Sequence, residues 1–344
     1  MTRRRPPMFP RLLRPVAALS MLVLAAACAK GDEGPDSGRL QAEEVALAIP
    51  AAPLEMPFTL DRNRIVLEVS LNGRDGFPFV LDTGMTDYHL LTRETAATLG
   101  LEAQPAGHGY DSAGRRFALE EAVLPNLIVG GLMLIDEPVA IMTLPPAVLT
   151  LDAGRRMAGV LGDRLLENFA LTLDFAAMKV ELSADPPPLP PDAVAVLPLV
   201  WSGNLLTTIV LVNGQAELVM VDTGDFHTLT LYDDVAERLG LVAGAEETGE
   251  AGHLPVLGAA GPYMLRSTTL DRVEMAGVGL AEVPAAIAPR GTGLPPQISG
   301  RLGVGLLSLF GVTLDPANRR MVLVPRTDQH IADLTSAPLQ EAER

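Results

Sequence analysis

At 344 residues the chain suits two domains on the usual prior of roughly 100–200 residues each, and its 48% hydrophobic content excludes disorder for the bulk of it. A formal net charge of −16 excludes a phosphate-backbone binder, because so negative a surface repels nucleic acid. Aromatics make up only 4%, so Val, Leu, Ile and Ala must fill the core; with 32 Gly and 29 Pro, that composition leans towards strands and tight turns.

The first 27 residues hold Arg3, Arg4, Arg5, Arg11 and Arg14 and no acid, which leaves the remainder at −16 − 5 = −21. Residues 16–27 are an unbroken run of apolar and small side chains. The run is shorter than the roughly 20 residues that a membrane span needs, and it fits the h-region of a secretory signal. Ala25, Ala26 and Ala27 lead into Cys28, the only cysteine. This resembles a bacterial lipoprotein signal, in which the cysteine is lipidated and becomes the new N-terminus. Ala25 stands where that pattern usually has leucine. A lone cysteine exported to an oxidising compartment otherwise lacks a partner, although an ordinary cleaved signal remains the alternative. Ala29, rather than an aspartate, follows the cysteine, and by the same analogy this favours the outer membrane, facing the periplasm. Residues 28–56, rich in Ala, Glu, Gly, Asp and Pro, read as a flexible tether.

A first lobe is expected over residues 57–183. In residues 64–71, Ile65, Leu67, Val69 and Leu71 alternate as in a half-buried strand, and Asn72-Gly73 signals a hairpin turn. A second strand, residues 77–81, delivers Asp82-Thr83-Gly84 at its end. Residues 92–99 have helical spacing, with Thr92 as N-cap and Gly100 as the stop. The glycine-rich segment 107–114, with Tyr110 and Gly114, suits a mobile hairpin tip. Strands are expected at residues 127–132 and 137–141. Gly159-Val160-Leu161-Gly162 then opens a short helix over 163–168, and residues 171–182 form a closing hairpin around Asp174.

Residues 184–195 contain Pro186, Pro187, Pro188, Pro190 and Pro191, which lack the N–H a ladder needs, so an extended spacer is expected there. The pattern restarts in a second lobe, residues 196–326. Strand 208–212 with Asn213-Gly214 leads through residues 218–221 to Asp222-Thr223-Gly224, and residues 233–239 match the first helix. Residues 273–280 with Pro284 match 127–134 with Pro138, and Gly300-Arg301-Leu302-Gly303 matches 159–162. The offset between copies is 222 − 82 = 140 at the tripeptide, 284 − 138 = 146 at the proline and 303 − 162 = 141 at the glycine. The second copy therefore gains residues around a second hairpin tip, residues 248–263 with Gly258 and Gly261, and loses some afterwards, as expected of loops. Residues 327–344 read as a polar tail.

A single Asp-Thr-Gly is a weak signal. Two copies in register are specific, each after an apolar strand and each followed by Leu-Gly at 161 − 82 = 79 and 302 − 222 = 80 residues. From Pro57 to Pro325 the chain resembles the aspartic proteases, most closely the retropepsin-like group, as two halves fused in tandem. The resemblance implies a mainly β fold: two acid-protease β-barrel lobes with short helices, related by a pseudo-two-fold axis and complete in one chain, so that a monomer is expected. It implies that Asp82 and Asp222 meet as a catalytic pair sharing one proton, since two adjacent carboxylates cannot both ionise. One would activate a water and the other would donate to the scissile carbonyl of a polypeptide substrate, with no metal or other cofactor. By the same resemblance Thr83 and Thr223 tie the loops together, Gly84 and Gly224 allow close approach, and Leu161-Gly162 and Leu302-Gly303 support the loops from below. The hairpins with Tyr110 and Gly114 and with Gly258 and Gly261 would close over the substrate as flaps.

The second copy departs from the family pattern. Asp225-Phe226 follows its tripeptide where the first has Met85-Thr86, and Arg301 replaces an apolar residue. Asp225 would raise the pair's proton affinity or face the substrate. These departures keep open a non-catalytic envelope protein that uses the same groove to bind extended peptides. The five histidines, His89, His108, His227, His253 and His330, have no metal-ligand spacing and are expected at the surface or on the flaps. Neither a Gly-x-Ser-x-Gly signature nor a phosphate-binding loop is present.

Overall fold

The structure is a computed structural model that describes residues 52–241, 253–258 and 260–326. The leader, Cys28, the tether as far as residue 51, the tail from 327 and part of the second hairpin lie outside the described residues.

Each half folds into an eight-stranded sheet with the same connectivity. In the first the order is Thr59–Asp61, Arg64–Leu71, Arg74–Leu81, Gly159–Leu161, His89–Thr92, Leu132–Met142, Arg116–Val129 and Gln104–Tyr110. Arg64–Leu71 also pairs with Arg116–Val129, through Ser70 with Ile128 and Leu71 with Leu127, which curls the sheet back on itself as a barrel wall. The second half repeats this with Val200–Ser202, Leu205–Val212, Gln215–Val221, Gly300–Leu302, Leu229–Tyr232, Val278–Ala288, Gly261–Met275 and His253–Gly258.

The reasons are local. Ile65, Leu67, Val69 and Leu71 are all buried on one face, as alternation requires. Asn72 and Asn213 take φ of 48° ahead of glycines at 74° and 81°, the left-handed pair that a two-residue hairpin turn demands. Each asparagine also docks its side-chain oxygen on a neighbouring strand, Asn72 on Asn126 N and Asn213 on Arg272 N. The helix Arg93–Leu99 starts at Thr92, whose hydroxyl accepts from Thr95 N, and stops at Gly100 with φ 69°.

A third sheet joins the halves. Its order is Leu54–Pro57, Lys179–Ser183, Ala170–Asp174, Phe310–Asp315, Arg320–Pro325 and Ala195–Pro198, three strands from each half. At its centre Leu171 faces Leu314 and Leu173 faces Val312. One buried apolar cluster runs from this sheet into both lobes.

Some boundaries differ from expectation. The tether is shorter: Leu54–Pro57 is a strand paired with Lys179–Ser183, and Met56 is buried against the core. The helix expected at 163–168 is a 3₁₀ turn, Asp163–Glu167. His89–Thr92 and Leu229–Tyr232 are short strands, buried at all four positions, for which alternation gives no cue.

Leu314 sits fully buried at the junction of the two halves. Leu314→Ala should lower stability by about 2–5 kcal/mol in urea denaturation; a loss below about 1 kcal/mol would contradict its central place.

Candidate active site

Each tripeptide begins where a buried strand runs out. Phe79, Val80 and Leu81 pair in parallel with Gly159, Val160 and Leu161; Val219, Met220 and Val221 pair likewise with Gly300, Arg301 and Leu302. The last register bonds lead directly into the loops, Asp82 N donating to Leu161 O at 2.9 Å and Asp222 N to Leu302 O at 3.0 Å. The chain then turns tightly, and each carboxylate receives backbone N–H groups of its own turn. Asp82 Oδ1 accepts from Gly84 N and Met85 N at 2.8 and 3.1 Å, and Asp222 Oδ1 accepts from Gly224 N and Asp225 N at 2.9 and 3.1 Å.

The two turns are clasped to each other. Thr83 N donates to Thr223 Oγ1 at 3.0 Å, and Thr223 N to Thr83 Oγ1 at 3.1 Å. The hydroxyls continue across, Thr83 Oγ1 to Val221 O at 2.7 Å and Thr223 Oγ1 to Leu81 O at 2.9 Å. Both threonines are buried. The clasp sets each carboxyl against the opposite turn, Asp222 beside Gly84 and Asp82 beside Gly224. A Cβ on Gly84 would stand 2.6 Å from Asp222 Oδ1, and one on Gly224 would run into the Asp82 carboxyl, so the approach requires glycine at both positions. Gly162 and Gly303 lie just as tightly under the loops, against the backbone oxygens of Tyr88 and His227.

Burial raises Asp82 above the usual carboxylate range, against the lowering effect of its hydrogen bonds from Asp222, Gly84 N and Met85 N. Burial also raises Asp222, well above that range, and the neighbouring Asp82 charge adds to the rise. Both shifts act in the same direction, towards the protonated form.

Asp225, expected either to raise the pair's proton affinity or to face the substrate, is turned inward, and its charge adds to the rise at Asp222. Its Oδ1 accepts from His227 N at 3.0 Å and lies 2.8 Å from His227 Nδ1. Its Oδ2 accepts from Thr230 Oγ1 at 2.6 Å and from Arg301 Nε at 3.0 Å. Burial opposes its charge, but Arg301, His227 and Thr230 together hold the carboxyl well below the usual range. Arg301, itself buried, also lies 3.4 Å from Asp222 Oδ2. His89 and His227 are buried rather than at the surface. His89 accepts from Gly162 N through Nδ1 at 3.0 Å, and burial pushes it down to about 3, so the ring is neutral.

The two hairpin tips meet over the second lobe. Arg115 donates to Pro262 O at 2.7 Å and to Gly261 O at 2.6 Å, and Ser112 Oγ lies 2.9 Å from Tyr263 Oη. Gly258 lies against the Asp111 carboxylate, Gly114 against Gly291, and the half-exposed Tyr110 ring against Gly293. The residues that sequence reasoning did not assign here are Ser112, Ala113, Tyr263 and the Asp225 partners His227 and Thr230. The one available signal was that the second copy's two departures, Asp225 and Arg301, have opposite charge.

A family model described as aspartyl protease matches the chain twice, over residues 67–164 and 208–307. Among solved structures the chain is similar to basic 7S globulin from soybean at 13% identity and a TM-score of 0.44, over 84% of this chain and 100% of that one. It is similar to an aspartic proteinase from Irpex lacteus at 13% identity and a TM-score of 0.47, over 83% and 99%. It is also similar to a retropepsin-like aspartic protease from Rickettsia conorii at 20% identity and a TM-score of 0.29, over 37% of this chain and 90% of that one. No curated protein matches it in sequence.

Beneath the first turn, Asp163 is a buried acid whose second-lobe counterpart, 163 + 141 = 304, is Val304. Burial pushes its carboxyl up to about 7; the charges of Asp87, Glu167 and Asp82 add to the rise, against a hydrogen bond from Asp87 N. The native state therefore binds this proton more tightly than the unfolded chain does, and its contribution to stability falls as pH rises from about 4 to about 7. Asp163→Asn should flatten that fall in urea denaturation measured at the two ends of the window. An unchanged slope would contradict the assignment.

Proposed function

The chain belongs to the aspartyl protease family, as two tandem retropepsin-like units, and from that premise we propose that it is an aspartic endopeptidase whose Asp82 and Asp222 activate the attacking water. The observation that carries the proposal is the pair of mutually clasped turns, which sets the Asp82 carboxyl against Gly224 and the Asp222 carboxyl against Gly84. Such a pair of carboxyls is suited to general acid–base work, because one ionised and one protonated group stand side by side.

In this reading a water lies between the carboxyls. The ionised member takes its proton as the oxygen attacks the scissile carbonyl carbon, and the protonated member donates to the carbonyl oxygen as charge develops there. The tetrahedral intermediate then collapses, the leaving nitrogen receives a proton, and the pair returns to its singly protonated state. No covalent bond to the enzyme forms. The backbone N–H groups of Gly84, Met85, Gly224 and Asp225 keep the inner oxygens in place, leaving the outer ones to the chemistry. An extended polypeptide is the substrate, clamped between the turns and the two hairpins. Both catalytic groups lie on one chain, so the reading needs only a monomer.

A second reading, a groove that binds extended peptides without cleaving them, draws on the neutralised Asp225–Arg301 pair beside Asp222 and on the shut hairpins. A statine-type transition-state analogue separates the two. Tight binding lost with either aspartate belongs to a protease, whereas peptide binding indifferent to both belongs to a bare groove.

The leader reading is part of the proposal: an exported chain, lipidated at Cys28 and held at the outer membrane facing the periplasm. Among the described residues no helix is long and apolar enough to cross a membrane. Cys28→Ser should move the protein from the membrane fraction to the periplasmic fraction of cells; a variant that stays with the membranes argues against a lipid anchor.

Purified protein should cleave unfolded polypeptides at mildly acid pH, where the pair keeps its single proton. Asp82→Asn and Asp222→Asn should each lower kcat by at least about 100-fold with little change in folding. Unchanged turnover in either variant would sink the assignment.

A further inference from the structure

The two lobes share a backbone but differ in one layer beside the catalytic turns. In the first lobe Met85, Leu90 and Val160 belong to an apolar cluster with Val80, Met142 and Leu149. Their second-lobe equivalents, at 225 − 85 = 140, 230 − 90 = 140 and 301 − 160 = 141, are Asp225, Thr230 and Arg301. Packing alone does not call for these charges, since an apolar trio fills the same space in the other lobe. Nor does stability, because a buried ion pair contributes no more than well-packed apolar side chains of similar volume.

What the charges add is a connection. Arg301 Nε is 3.0 Å from Asp225 Oδ2 and 3.4 Å from Asp222 Oδ2. Its Nη1 donates to the backbone oxygen of Ser112, at the tip of the first-lobe hairpin, 189 residues away in sequence. The next residue, Ala113, is 1% exposed, buried in a second-lobe cluster with Met220, Tyr232, Tyr263, Leu265 and Ile298. One guanidinium therefore touches a catalytic carboxylate and the hairpin that covers it.

On the reading that Asp82 and Asp222 are the catalytic pair, we propose that Arg301 is a positioning residue that couples closure of the first-lobe hairpin to the charge state of that pair. With the hairpin shut, Arg301 is fully engaged, by Asp225 and Asp222 on one side and by Ser112 O on the other. Substrate entry requires the tip, Ser112–Gly114, to leave its seat. That movement strips Arg301 of one acceptor and strengthens its hold on the carboxylates, so opening favours the ionised member that activates water. The charged and titratable groups around Arg301 are Asp82 from the first turn, Asp222, Asp225 and His227 from the second, Tyr232 from the adjoining strand and Tyr263 from the second hairpin. Asp111 and Arg115 are paired with each other at the first tip. Among these groups Arg301 is the cation placed against the pair, and it favours ionisation of both Asp82 and Asp222.

The test uses two variants of the whole protein and two readouts that need no turnover. Asp225→Met with Arg301→Val replaces two of the three residues by their first-lobe equivalents and removes both charges of the ion pair together. Arg301→Lys keeps the charge but offers one nitrogen to three acceptors. Amide hydrogen exchange over residues 111–115 reports the hairpin, and carboxyl ¹³C shifts of labelled aspartates report the pair. In the double variant, exchange should rise about tenfold and the pair's lower titration step should move up by about one pH unit. In Arg301→Lys, exchange should rise while the titration moves less. Where cleavage is measured, the double variant should show a lower KM, because the hairpin opens more readily, together with an acid limb of kcat shifted to higher pH. Native exchange or a native titration in the double variant would each overturn the coupling. Absence of cleavage by the unaltered protein bears instead on the proposed function, and the two turnover-free readouts still decide the role of Arg301.

Discussion

The structure depends on the crosswise hydrogen bonds of Thr83 and Thr223. Each threonine gives its N–H to the other's hydroxyl and passes its own hydroxyl hydrogen to a carbonyl beneath the opposite loop. Each bond contributes only about 1 kcal/mol net. Their importance is geometric: they hold together two turns whose carboxyl groups would repel if both were charged. In the proposed mechanism that repulsion is relieved by a shared proton rather than by separation.

Rigidity below matches the clasp above. Phe79–Leu81 and Val219–Val221 end directly at the aspartates, and each is paired in parallel with a short strand that carries the supporting Leu-Gly. The six-stranded sheet and the apolar cluster that crosses it join the lobes into one core, so the two turns have a common floor. Duplication explains why the floor is symmetric. The active layer is not: its second-lobe side carries Asp225, Thr230 and Arg301 where the first carries Met85, Leu90 and Val160.

The two-lobed mainly β fold was legible because its signals are local. Alternation marks Arg64–Leu71, Asn-Gly marks the hairpin turns, and the repeated Asp-Thr-Gly marks the register between halves. What was not legible depends on long-range partners. His89–Thr92 and Leu229–Tyr232 are buried on both faces and show no period. Leu54–Pro57 reads as tether until Lys179–Ser183 is present to pair with it. At the site, Asp225 could be read either as an acid beside the pair or as a substrate-facing one, because its neutralising partner lies 76 residues away, and the docking of Ser112 on Arg301 spans 189. Charge sign alone hinted at the first of these, and nothing in the local pattern pointed to the second.

The central claim is that Asp82 and Asp222 form one acid–base unit with a single proton between them. Neutron diffraction from crystals grown at mildly acid pH tests it most directly. The account predicts carboxyl oxygens about 3 Å apart with one deuteron between the two residues. Carboxyl groups separated by more than about 6 Å, or each charged and separately hydrated, would contradict it.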